Sequence, residues 1–229
     1  QEEMADIEHQ MLHFLENHDE QRIPCEDFAG SAENGKPAMV VSATISTSPT
    51  MIYFGQEVGE SANEKAGFGS PTRTSIFDYI GVPHHQRWVN NKQFDGGQLS
   101  DEENDLRYFY KRLLNFTINS DALMGHYYDI HRFNREHTEN YNYRVFSFVR
   151  WSAEEKLIII SNFDKDKSYA FELIIPEGLI SEWGLLDEEY LLKDQLYNKE
   201  TEVLKIINDL GKVALNLKPL ASLILKLEI

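Results

Sequence analysis

One stretch of the chain gathers groups that could do chemistry: Asn17, His18 and Asp19, with Glu16 just before them and Arg22 three residues on. It offers an amide, an imidazole and a carboxylate at the point where the apolar run Met11 to Leu15 stops. A carboxylate and a His that face a cleft suit hydrogen bonding to a polyhydroxylated ligand, or electrostatic stabilisation of a cationic transition state. A solvated loop would look similar, so the cluster alone decides nothing. Other chemistry-bearing residues fail to converge. His84 and His85 are adjacent and have no carboxylate at metal-site spacing, and the spacings of His126, His131 and His137 turn them to opposite faces or into a loop. No metal and no cofactor is expected. Cys25, the single cysteine, permits no internal disulfide and reads as an inert thiol.

Delivering Asn17 to Asp19 to a cleft takes a strand end, and the neighbouring sequence supplies a scaffold for one. Residues Gln1 to Gln10, with Met4, Ile7 and Met11 at helical spacing, read as the end of a helix or an approach segment. Met11 to Leu15 reads as a buried strand. Pro24, Gly30, Gly35 and Pro37 mark a loop, and a helix then begins at Pro37 with Ala38, Val41 and Ile45 as its apolar stripe. Pro49 stops it, and Thr50 to Phe54 reads as a second buried strand ending at Gly55-Gln56-Glu57. Strand, helix, strand implies a right-handed crossover between parallel strands, which brings both polar ends to one sheet edge. The stretch Val58 to Gly97 reads as a long loop whose aromatics Phe77, Tyr79, Trp88 and Phe94 either wall a cleft or pack the loop down.

Ser100 with Glu103 forms a capping box, and Leu106, Phe109, Tyr110, Leu113, Leu114 and Thr117 continue it as an amphipathic helix. Beyond Asp121 the texture turns to short strands: Tyr127 to Phe133, Tyr143 to Val149, Leu157 to Phe163, Tyr169 to Ile175, Tyr190 to Leu196 and Leu215 to Ile229. The expected architecture is α/β followed by all-β, with residues 1–121 as one domain and 122–229 as an antiparallel β-sandwich.

A length of 229 residues and 41% hydrophobic content can fill such cores. The formal charge of -16, from 38 acidic against 22 basic residues, argues against nucleic acid and anionic membrane surfaces as partners. No window approaches the run of about 18 apolar residues that a membrane span needs. No signal peptide is legible, and the lone Cys fits either redox compartment, so localisation stays open. The chain opens at Gln1 inside what reads as a structured segment, which suggests a piece of a longer protein.

Two motifs carry a resemblance. Phe14, Asn17, His18 and Asp19 resemble the fourth signature region of the α-amylase family, glycoside hydrolase family thirteen. The run Pro49-Thr50-Met51-Ile52-Tyr53-Phe54-Gly55-Gln56-Glu57 resembles that family's eighth-strand motif, in the right order and about thirty residues later. The resemblance covers the whole chain. It implies the last strand-helix units of a (β/α)8 barrel with a C-terminal antiparallel β-sandwich, from a retaining hydrolase acting on α-glucans such as starch and maltooligosaccharides. Asp19 would be the transition-state stabiliser, His18, Asn17 and Arg22 would bind substrate, and Glu57 would support the barrel rim.

The family's nucleophilic Asp and acid/base Glu would lie upstream of this chain. Retaining hydrolysis takes two carboxyl groups flanking the scissile bond, and Asp19 alone cannot be both, so the chain by itself is expected to be inactive. Its barrel units would lack neighbours, and would pair with another copy or with a missing N-terminal part. The alternatives are a transglycosylase of the same family, a non-catalytic glucan-binding or scaffolding piece, and an unrelated α/β domain with a sandwich appended.

Overall fold

The computed structural model describes residues 7–63, 74, 82–198 and 201–228. The expected helix end at Met4 and the loop aromatics Phe77 and Tyr79 lie outside the described residues. Contacts divide the chain into Gln1–Ala43 with Ser48–Leu114, and Thr44–Thr47 with Asn115–Ile229.

In the first unit, α1 spans Lys36–Thr44, with Pro37 in the first turn where its missing N–H costs nothing. It ends five residues before Pro49. The run Thr44-Ile45-Ser46-Thr47-Ser48 explains this, since β-branched and hydroxyl side chains are poor helix formers. Its buried residues are Pro37, Met39, Val40 and Thr44, whereas the expected stripe residues Ala38, Val41 and Ile45 are only half-buried. Within the stretch expected to be loop lies α2, Pro83–Val89. Its start signal is Pro83 at the first helical position, and its run His84-His85-Gln86-Arg87 carries no apolar stripe to advertise it.

Helix α3, Asp101–Thr117, follows its pattern closely: Leu106, Phe109, Tyr110 and Leu113 are buried. The capping box forms in both directions. Ser100 N–H donates to Glu103 Oε2 at 2.8 Å, and Glu103 N–H donates to Ser100 Oγ at 3.2 Å.

The two expected parallel strands are reduced to one bridge, His13 with Thr50, closed by His13 N–H to Pro49 O at 2.9 Å and Met51 N–H to His13 O at 2.8 Å. The parallel direction is as expected, but Leu12 and Phe14 are 47% and 41% exposed rather than buried. Parallel strands persist when covered on both faces and flanked by neighbours, and a lone pair has neither.

The second unit is one eight-stranded antiparallel sheet. Its strands are β1 (His126–Asp129), β2 (Val145–Trp151), β3 (Lys156–Asn162), β4 (Tyr169–Ile175), β5 (Glu189–Asp194), β6 (Thr201–Ile207), β7 (Leu210–Leu217) and β8 (Ser222–Leu227), in the order β1-β2-β3-β8-β5-β6-β7-β4. Period-two alternation sends Leu173, Leu204, Val213, Leu215, Leu223, Leu225 and Leu227 into a single core. The last expected strand, Leu215 to Ile229, is in fact β7 and β8 with Lys218 to Ala221 as the turn between them, and Ile229 itself lies outside the described residues. The segment Tyr127 to Phe133 divides into β1 and the short helix α4, His131–His137, because Asp129 Oδ1 accepts His131 N–H at 2.7 Å and starts a helical turn. Helix α5, Glu177–Glu182, occupies what reads as a turn.

The outer edge of β4 is capped at one residue by a side chain. Asn134, fully buried, accepts Ile174 N–H at 2.8 Å and donates to Ile174 O at 2.9 Å, so at this residue one amide supplies the pair of bonds a neighbouring strand would make.

Candidate functional site

Glu16 is the residue on which the candidate site is built. It ends the apolar run yet is buried to 1% exposure, and its two carboxylate oxygens close a loop. Oε1 accepts Ile23 N–H at 2.6 Å, and Oε2 accepts Arg22 Nη1 at 2.7 Å. Arg22 is itself wholly buried. Its Nη2 donates to Phe54 O at 2.8 Å, and its guanidinium lies 4.4 Å from the centre of the Tyr53 ring. One ion pair therefore ties the end of the first extended segment to the end of the second. Burial pushes the Glu16 carboxyl up, while the Arg22 charge and the Ile23 N–H work against that rise.

Between these pins the chain turns on Asn17, whose Oδ1 accepts Asp19 N–H at 2.7 Å and Glu20 N–H at 2.9 Å. The turn pushes His18, Asp19 and Glu20 outward, all exposed. His18 Nε2 lies 3.3 Å from Asp19 Oδ2, and the Asp19 side chain is 75% accessible. The structure thus brings the four expected residues together but in two roles. Asp19 and His18 present their side chains to solvent. Arg22, expected to reach the substrate, has its guanidinium turned inward to Glu16 and Phe54, and the Asn17 carbonyl is spent on the turn.

Glu16 was legible only as a neighbour. Its signal is an acidic residue closing an apolar run, directly before Asn17 and six residues ahead of an Arg.

The second segment ends in a comparable set of side-chain bonds. Gln56 donates to Tyr110 Oη at 3.0 Å and accepts Tyr53 N–H at 3.1 Å, which fastens the segment to α3. Glu57, half-buried, sits in a single 3-10 turn, Gln56–Val58, flanked by Gly55 and Gly59 at positive φ. Buried Glu60 accepts Ala62 N–H at 2.8 Å and His84 N–H at 3.0 Å, and so anchors the start of α2. From Phe54 a row of rings runs through His85 (6.1 Å) and Trp88 (5.7 Å from His85) to Phe94 (6.0 Å from Trp88).

No group of three or more His, Cys, Asp or Glu with metal-site geometry occurs among the described residues. What the exposed pair can do is accept and donate hydrogen bonds to a polar ligand, with Asp19 as the negative charge.

Neither a family model nor a curated protein sequence matches the chain. Solved structures do. A variant of AmyP in complex with maltotriose matches over 95% of this chain and 41% of its own, with 21% identity and a TM-score of 0.61. The maltogenic α-amylase AmyB from Thermotoga neapolitana matches over the same shares, with 16% identity and a TM-score of 0.62. A trehalulose synthase matches over 95% of this chain and 43% of its own, with 16% identity and a TM-score of 0.51. The chain spans about two-fifths of the length of these structures, and its fold is that of the C-terminal part of α-amylases, whose antiparallel β-sandwich the eight-stranded sheet matches.

Proposed function

We propose that this chain is the C-terminal part of an α-amylase-type retaining glycoside hydrolase, with residues 1–121 as the end of its catalytic barrel and 122–229 as its sandwich domain. The α-glucan substrate is bound in part by Asp19 and His18. Asp19 stabilises the positive charge that develops on the sugar in an oxocarbenium-like transition state, and His18 hydrogen-bonds the same sugar unit. Asn17 and Arg22 serve the site through the backbone, by shaping and pinning the turn. The observation that carries the reading is this turn, fixed at both ends by Glu16 and Arg22 and presenting the exposed Asp19 carboxylate beside His18 at the end of a parallel-bridged segment.

A single exposed carboxylate cannot serve as both nucleophile and acid, so the 229-residue chain is inactive on its own. Incubated with soluble starch it releases no reducing sugar. The same chain extended by its upstream coding sequence does, and Asp19→Asn in that longer protein lowers kcat by about 10²–10³-fold, the scale of losing one preorganised stabilising group. Sugar release by the 229-residue chain that disappears with Asp19→Ala would overturn the reading, as would a longer protein with no action on any α-glucan.

The likeness to a trehalulose synthase supports a second reading, glycosyl transfer in place of hydrolysis. Product analysis separates the two: transfer builds oligosaccharides longer than a maltotriose substrate, and hydrolysis gives only shorter ones.

A further inference from the structure

Strand β4 is the last in the sheet order, so β7 is its neighbour on one side and no strand lies on the other. In an antiparallel pair, successive residues alternate between bonding across to the partner and turning N–H and C=O away from it. Ile174 is of the second kind, since both its backbone groups go to the Asn134 amide. Glu172 and Ala170, two and four residues earlier on the same strand, therefore turn the same way. No hydrogen bond among the described residues takes their backbone N–H or C=O. Two donor–acceptor pairs thus stand open on the edge, about 6.8 Å apart at about 3.4 Å per residue.

Space for a ligand lies against them. A groove of about 730 Å³ is bounded by residues 137–140 at the end of α4, by Ala170 and Glu172, and by Ala214 and Asn216 of β7. Ala170 and Ala214, both exposed, give it a floor of short side chains. Glu139, Glu172 and Glu202 line it against one lysine, Lys212, whose ammonium lies 3.3 Å from the Glu172 carboxylate.

The open backbone pairs and the charge of the groove together select a class of ligand. N–H and C=O pairs repeating at strand spacing are matched by another peptide backbone, which presents the same groups at the same repeat, and a sugar chain has no such repeat. The carboxylates favour basic side chains on that peptide, and the short floor leaves room for their long stems. We propose that the open edge of β4 docks an extended peptide segment bearing Lys or Arg, which adds a strand to the sheet beyond the residue that Asn134 caps. This surface lies wholly in the second unit and does not depend on the glucan reading.

The test follows amide hydrogen exchange, residue by residue, in the isotope-labelled 229-residue chain with a blocked Lys-Val-Lys-Val-Lys-Val peptide as the probe. At about ten times its Kd the peptide slows exchange of the Ala170 and Glu172 amides about tenfold. The amides of Phe171 and Leu173, which bond to β7, keep their rates, so protection gained at alternate residues marks an added strand. A blocked Glu-Val-Glu-Val-Glu-Val peptide and maltoheptaose give no such protection. Ala170→Pro removes one edge donor at a position where an edge strand tolerates Pro, and weakens the basic peptide about fivefold, the loss of one hydrogen bond. Unchanged rates at Phe171 and Leu173 in that variant show that the sheet is intact. Glu172→Lys, at an exposed position, also weakens the basic peptide. Ala170 and Glu172 amides that ignore the basic peptide, or that answer the acidic peptide or maltoheptaose equally, overturn the proposal. So does a basic peptide bound as tightly by both variants as by the unsubstituted chain.

Discussion

At the scale of single residues, Glu16 and Arg22 are the pair whose loss reaches furthest. Both are almost fully buried, and between them they bond Ile23 N–H, Phe54 O and each other. Two charges out of water repay their desolvation only while both are present, so breaking a buried pair from one side costs about 3–5 kcal/mol. Glu16→Ala is therefore expected to lower the stability of the first unit by that amount in urea unfolding. Glu16→Gln, which keeps an acceptor for Arg22, costs less than Glu16→Ala, and the double variant Glu16→Leu/Arg22→Met costs less than either single truncation. Equal unfolding midpoints for Glu16→Ala and the unsubstituted chain would show that the pair holds nothing. The sequence displayed Asn17, His18 and Asp19 openly because they form a contiguous polar cluster. It hid the division of labour among them, because whether an Arg points out or in depends on a backbone carbonyl 32 residues away in sequence.

At the scale of elements, two carboxylates each tie one element to another. Glu103 caps α3 and takes Arg87 Nη2 from α2 at 2.7 Å, with His84 Nδ1 also at 2.7 Å. Glu155, on the turn from β2 to β3, accepts Ser120 Oγ and Ala122 N–H, and pairs with Lys226 of β8. Burial works to raise both carboxyls. Arg87, Ser100 N–H and His84 outweigh it at Glu103, as Ser120, Ala122 N–H and Lys226 do at Glu155, and both end below the ordinary glutamate value of 4.5. A depressed folded value means that the fold prefers the ionised form. The contribution is present above 4.5 and is lost as pH falls through the folded value. Glu16 runs the other way, since its raised value favours the protonated fold and its contribution fades as pH climbs.

Asp95, Glu102 and Asp164 are lowered as well, so the lowered carboxyls outnumber Glu16 and the urea midpoint falls as pH drops through and below the ordinary carboxyl range. Glu155→Gln is expected to lower the midpoint at neutral pH and to flatten the acid decline. A decline equally steep in Glu155→Gln would remove Glu155 from the explanation.

Elements with strong periodicity were legible in the sequence. Helix α3 kept its stripe and its capping box, and β4 has the expected bounds, because amphipathic spacing survives any tertiary context that buries one face. Short helices without a stripe, α2, α4 and α5, were not legible, since a Pro at the first position or a two-residue hydrogen bond from Asp129 is too local a signal to outvote the surrounding composition.

At the scale of the whole molecule, the first unit shows features that a self-sufficient domain avoids. The segment that carries Asp19 exposes Leu12 and Phe14, apolar side chains at alternate positions of a strand-like run, and makes a single parallel bridge. Where the two extended segments end, Arg22 Nε and Tyr53 Oη are buried without partners among the described residues. Unpaired edges and exposed apolar residues on an extended segment template association with another chain.

The chain alone is therefore expected to self-associate. Sedimentation velocity at rising concentration should give species heavier than the 26.6 kDa monomer. Leu12→Lys together with Phe14→Lys should return the chain toward the monomer, by placing charge on the exposed run. Supplying the upstream coding region in the same polypeptide should do so as well, by covering it. A full chain that stays monomeric at every concentration and unfolds in one cooperative step would mean that the exposed run is tolerated by the fold. Leu12 and Phe14 would then need no neighbour to cover them.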